Sequence, residues 1–193
     1  MEGGIWGLRI VPELEYYVRT LTISYITPKA PDMSIPHARK EWSDFKEIAP
    51  DANAAILALG QAIEKSGIEK EVLELIKLRA SQINGCAFCA QYHLNILRTL
   101  NVPQEKLDLV AVWRDAGIFS RRERAALDWT ETLTDLPRQG VSHEAYTAVL
   151  GQFSDTELAF LTAAVGAINI WNRIAVAFRF SPPIPKKAGG SAT

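Results

Sequence analysis

Cysteine, methionine and histidine are scarce in this chain: two, two and three among 193 residues. Two thiols allow one disulfide and no framework, and without a second Cys-x-x-Cys the usual thiolate set of a structural zinc site is incomplete. Positive charge is not in excess either. Lys and Arg number 21 against 22 Asp and Glu, a formal net charge of -1. With no basic stripe and no aromatic–basic platform, nucleic acid is not an expected partner. The start, Met1-Glu2-Gly3-Gly4-Ile5-Trp6, has neither the basic n-region nor the unbroken apolar h-region of a signal peptide. No apolar run reaches the roughly 20 residues of a membrane span. The greasiest segment, Leu158 to Ala177, is interrupted by Asn169, Asn172 and Arg173 and reads as a buried core helix. The expectation is a cytoplasmic protein without a membrane partner. There thiols are kept reduced, and a close cysteine pair is more often catalytic or metal-binding than a structural staple.

Alternating strand patterns are also missing between residues 50 and 180. Helical periodicity is present instead. Asp51 to Lys65 carries Ile56, Leu59 and Ile63, with Gly67 as a stop. Glu69 to Asn84 carries Val72, Leu75, Ile76, Leu78 and Ile83, closed by Gly85. Cys86 to Leu100 follows, ended by Asn101 and Pro103, and Pro103 can open a short helix through Trp113. Ser120-Arg121-Arg122-Glu123 and Ser154-Asp155-Thr156-Glu157 are capping boxes. They predict helices to about Thr134 and Phe178, and Ser142 predicts a shorter helix before Gly151. The fold class expected is all-α, a helical bundle with short connections over residues 51–180.

Residues 1–50 are broken by Pro12, Pro28, Pro31 and Pro36. Ile10 to Leu21 and Ala38 to Ile48 could form short amphipathic helices, and Thr20 to Ile26 has some strand character. This stretch reads as an N-terminal arm, since it lacks the apolar residues for a core of its own. Residues 181–193 read as a flexible tail.

Both cysteines lie in Cys86-Ala87-Phe88-Cys89-Ala90-Gln91-Tyr92-His93. A thiol at Cys86 opens a helix, where the macrodipole favours thiolate. Cys86 and Cys89 share a helix face and can close into a disulfide. His93 is four residues after Cys89 and can take or relay its proton. Glu74 lies 11 residues before Gly85 and His93 lies 8 after it. In a helical hairpin turning at Gly85 their depths differ by about one turn, at ~1.5 Å per residue. Glu74 can then orient His93 and complete a carboxylate–imidazole–thiol relay. Other readings of these residues are two buried structural thiols, zinc held by Cys86, Cys89, His93 and Glu74, or Glu74 paired with Lys70 or Lys77. His37 and His143 read as solvated, and Trp171, Asn172 and Arg173 as core packing with a helix-to-helix hydrogen bond.

The stretch from Glu74 to Cys89, with Asn84-Gly85 before the pair and His93 beyond it, resembles the alkylhydroperoxidase D-like branch of the carboxymuconolactone decarboxylase superfamily. Ala167 to Ala175 resembles that family's closing core helix, and the likeness spans roughly residues 50–180. The resemblance implies an all-helical protein assembled as trimers or hexamers. It implies reduction of hydroperoxides by the dithiol without haem, flavin or metal. Cys89 then attacks peroxide, Cys86 resolves it, and Glu74 and His93 occupy the relay positions. An external dithiol, lipoyl or thioredoxin-like, recycles the disulfide. Two departures stand out: Phe88 replaces a histidine common in that branch, and the first 50 residues have no counterpart. On one point the residues and the resemblance diverge, because the dipole favours Cys86 as the acidic thiol. Alternatives to a peroxidase are a redox sensor, a general disulfide reductase and, less consistent with an intact dithiol, a decarboxylase.

Overall fold

The computed structural model describes residues 38–186. Among these residues the secondary structure is eight α-helices and one 3-10 turn, with no strand. The all-α expectation holds. The helices are α1 (Trp42–Ile48), α2 (Pro50–Glu64), α3 (Lys70–Ile83), α4 (Ala87–Thr99), α5 (Gln104–Leu109), α6 (Arg121–Thr134), α7 (His143–Leu150) and α8 (Asp155–Phe178).

Local chemistry sets most of the boundaries. Both capping boxes form: Ser120 Oγ accepts from Glu123 N while Glu123 accepts from Ser120 N, and Ser154 with Glu157 does the same. Ser142 caps α7. The helix expected from Pro103 through Trp113 is shorter. It ends at Leu109 and tightens into a 3-10 turn over Val110–Val112. Two β-branched valines favour extended helix weakly, and Trp113 is drawn inward, where its indole N–H donates to Glu131 at 2.8 Å.

Helix α3 is the axis of the bundle. Val72, Leu73, Glu74, Leu75, Ile76, Leu78, Ala80 and Ser81 are all buried on it, so it has no wet face over most of its length. One core cluster joins Val72, Leu73 and Ile76 to Trp129, Leu158, Leu161 and Val165. A second joins Leu75 and Leu78 to Leu97, Val110, Trp113 and Leu127. Each fully buried aliphatic side chain contributes roughly 1.5–3 kcal/mol relative to exposure. Helix α8 is long and apolar enough to cross a membrane by length and composition. Its buried stripe, Leu158, Leu161, Ala164, Val165, Ala167, Ile168, Asn172 and Ala175, is a core face of this bundle.

Of the arm read from sequence, residues 1–37 lie outside the described residues, including the helix and strand read at Ile10–Leu21 and Thr20–Ile26. Residues 38–49 pack onto the end of α8. Phe45 on α1 meets Trp171, Phe178 and Phe180 at ring centroid distances of 6.1, 6.2 and 6.4 Å. The first residues of the tail are tied down as well. Ser181 Oγ donates to Glu41 at 2.6 Å and Asn95 Nδ2 donates to Pro183 O at 2.8 Å. Residues 187–193 lie outside the described residues.

Candidate active site

The site is built at the turn between α3 and α4. Gly85 takes a φ of 64°, a left-handed value that glycine adopts without penalty. Its N–H bonds to Gln82 O at 3.2 Å and the Cys86 N–H to Ser81 O at 2.9 Å, the two bonds of a Schellman stop. Cys86 therefore closes α3 and at the same time is the N-cap of α4. Its sulfur accepts from the Cys89 amide at 3.3 Å. Both thiols are free and buried.

The hairpin brings Glu74 and His93 together, as its geometry requires. His93 Nδ1 and Glu74 Oε2 are 2.6 Å apart. The other carboxylate oxygen accepts from Lys77 Nζ at 2.7 Å. Glu74 is 2 % exposed, so the wet-face pairing with lysine is excluded although Lys77 is a partner. Burial pushes the Glu74 carboxyl up, but His93 and then Lys77 outweigh it and hold it below the ordinary carboxylate value. Burial keeps His93 below its ordinary value, against the pull of Glu74 and with a smaller push from Lys77. An ionised Glu74 accepts, so Nδ1 carries the proton and Nε2 keeps a lone pair. Nε2, the ring nitrogen away from Glu74, is thus the atom that can accept a proton.

The two sulfurs differ in character. The Cys86 thiol is lowered to about 7, chiefly by the hydrogen bond from Cys89, against burial and with help from the Cys89 amide, the Asn172 side chain and the Phe88 amide. Cys89 is pushed up, first by its bond to Cys86, then by burial and the Cys86 charge. The pair titrates as a unit whose first anion rests on Cys86. Access runs the other way. A cavity of about 200 Å³ is lined by Cys89, His93 and Glu74, while Cys86 does not reach it. Its other walls include Ile56, Leu57, Gly60 and Ile63 of α2, Ile168 and Trp171 of α8, and Trp42 of α1.

Phe88, at the position where the resemblance expects a histidine, lines this cavity and packs edge-on to Phe180 at 5.3 Å. It belongs with Phe180 and Phe45 to the apolar cluster around the sulfurs. The exposed Tyr92 stacks on it at 6.2 Å. Among the described residues, no three His, Cys, Asp or Glu side chains form a group that could hold a metal ion. His143 is exposed on α7, and His37 lies outside the described residues.

A model of the carboxymuconolactone decarboxylase family matches residues 50–132. The uncharacterised protein YdfG of Bacillus subtilis (strain 168) is 32% identical over 133 residues, 69% of this chain and 90% of that protein. The chain belongs to the carboxymuconolactone decarboxylase family. Within it the likeness is to alkylhydroperoxidase D-like members. A protein of unknown function from Agrobacterium tumefaciens, whose description suggests the antioxidant defence protein AhpD, shares 38% identity at a TM-score of 0.72, over 77% of this chain and all of that one. A peroxidase-related protein from Ralstonia eutropha JMP134 with an alkylhydroperoxidase AhpD core shares 26% identity at 0.64, over 71% of this chain and 73% of that one. The debrominase Bmp8, at 20% identity and a TM-score of 0.64 over 70% of this chain and 73% of that one, shares the fold.

Sequence reasoning missed the weight of Asn172 in this family member. It is 1 % exposed. Its Nδ2 donates to Ser81 Oγ at 3.0 Å, and its Oδ1 accepts from Asn84 Nδ2 at 2.9 Å. The helix-to-helix hydrogen bond was expected, but its place beside both sulfurs was not. An amide at helical spacing with the apolar stripe of Leu161, Val165 and Ile168 was the available signal. The α2 wall carried no signal, because nothing local shows which residues face α4.

Proposed function

We propose that the protein is a thiol peroxidase that reduces organic hydroperoxides through a Cys86–Cys89 dithiol/disulfide cycle. The observation that carries this reading is the division of labour at the pair: Cys89 opens on an apolar cavity beside His93, and Cys86 sits behind it as the acidic thiol. With Cys86 in its thiol form, His93 Nε2 takes the Cys89 proton and Glu74 steadies the imidazolium. The Cys89 thiolate attacks the terminal peroxide oxygen, the O–O bond breaks, and the alkoxide leaves with the proton from His93. Cys89 is then a sulfenic acid and the product an alcohol. The ionised Cys86 attacks the Cys89 sulfur, the S–O bond breaks, and hydroxide leaves as water with one proton from solvent. Two electrons from the dithiol have reduced the peroxide.

The disulfide is reopened by an external dithiol of lipoyl or thioredoxin type, so no bound redox cofactor is needed in the cycle. A reducing compartment, the cytoplasm, suits such a pair. Assembly as a homo-oligomer, a trimer or hexamer, belongs to the same reading. The test is peroxide consumption with lipoamide or thioredoxin systems. Wild type turns over repeatedly, Cys89→Ser does not react, and Cys86→Ser consumes one equivalent and leaves a sulfenate trapped on Cys89. A sulfenate confined to Cys86 reverses the two roles. Consumption of one equivalent by wild type with reductant present makes the protein a sensor instead.

A further inference from the structure

The face that α2 turns to the site has a gap. Ile56, Leu57, Gly60, Ile63 and Glu64 follow one another at helical spacing along the cavity wall. At the centre of this stripe, four residues after Ile56 and three before Ile63, stands a glycine. Gly60 is inside a 15-residue helix, where glycine is a poor helix former. Among the described residues a Cβ built on it meets nothing within 4 Å, and neither a turn nor a close backbone approach there calls for glycine. What its missing side chain leaves is space in the cavity.

That space has a size. An apolar cavity of about 150 Å³ holds one benzene molecule. The cavity here is about 200 Å³, room for one ring and a few further atoms. Its walls are apolar apart from the polar group around Cys89 and His93 and the two charged residues Lys77 and Glu64. Trp42, Phe88 and Trp171 offer aromatic surface to a ring.

We infer that Gly60 sets the size of ligand at this site: by omitting a side chain it admits apolar hydroperoxides with a body the size of a single ring, with the peroxide directed to Cys89. The inference rests on the reading of the site as a peroxide site, but binding tests it separately from turnover. The probe is 2-phenyl-2-propanol, the alcohol that cumene hydroperoxide would leave. It cannot react with the thiols.

Calorimetric titration of the reduced full-length chain is expected to show binding to wild type. Gly60→Ala should weaken it about threefold and Gly60→Leu at least tenfold. Neither variant should melt below wild type, since the added atoms enter open space and alanine and leucine are better helix formers. In turnover, the ratio of kcat/KM for cumene hydroperoxide over hydrogen peroxide should fall at least tenfold in Gly60→Leu. A folded Gly60→Leu that binds the alcohol like wild type overturns the inference, and so does a wild type that does not bind it. If Gly60→Leu melts lower than wild type, Gly60→Ala decides, and an unchanged affinity there overturns the inference. Alcohol binding that is lost on substitution, in a protein that consumes no peroxide, upholds the size rule and removes the peroxidase reading instead.

Discussion

Asn172 ties three pieces of the site to one side chain. From α8 it reaches Ser81 and Asn84 on the α3 side of the turn, and its amide favours the thiolate form of both cysteines. Removing it should be felt at the sulfurs more than in the fold. Ser81 keeps its bond to Lys77 O at 2.7 Å, and Asn84 keeps its bond to Asn169 at 2.9 Å. In Asn172→Leu the midpoint of iodoacetamide alkylation against pH should move upward from the value of about 7 held by Cys86 in wild type. An unmoved midpoint in a folded variant would show that the amide is structural only. The same pair shows how a family role and a local field divide. The hydrogen bond from Cys89, with smaller help from the first amides of α4, makes Cys86 the acidic thiol, whereas the cavity reaches Cys89. In the proposed cycle this division leaves the more acidic thiol for the resolving step.

At the scale of elements, the α3–α4 hairpin is the unit that assembles the candidate site. The Schellman stop at Gly85 turns the chain so that Cys86 begins the next helix within one residue, and the depth of Glu74 then matches that of His93. The α8 cap matters at a distance, because α8 carries Ile168, Trp171 and Asn172 to the site. Ser154 accepts from Glu157 N at 3.3 Å, and Glu157 accepts from Ser154 N at 2.8 Å. Ser154→Ala should lower stability by about 1 kcal/mol, measured by urea unfolding. The alkylation midpoint of Cys86 should stay in place, since the cap is at the other end of the helix from Asn172.

The whole molecule carries the site's charges as a stability term with a definite sign. The folded-state values of Glu74 and His93 are both below their ordinary ones. For such groups the unfolded chain binds more protons, so stability is present above the ordinary value and is lost as pH falls through the folded one. Stability should therefore drop as pH goes below about 6.5 through His93 and again below about 4.5 through Glu74. Thermal midpoints against pH will show this. His93→Gln should flatten the upper branch, and an unchanged upper branch would place the loss elsewhere. The fold alone does not settle the chemistry, since a debrominase shares it. The arrangement of dithiol, relay and cavity supports the peroxidase reading.

The caps at Ser120, Ser142 and Ser154 and the stop at Gly85 were legible in the sequence because each is made by residues three to five apart. The all-α class and the meeting of Glu74 with His93 followed from periodicity and the position of one turn. Tertiary structure decided what those rules do not reach. It broke the helix after Leu109 where Trp113 turns in to Glu131, and packed α1 and Phe180 over the sulfurs. It also placed Asn172 beside the thiols and left Gly60 facing an open space. These depend on which helix faces which, and that is set by the summed burial of distant apolar side chains rather than by any bond between neighbours in the chain.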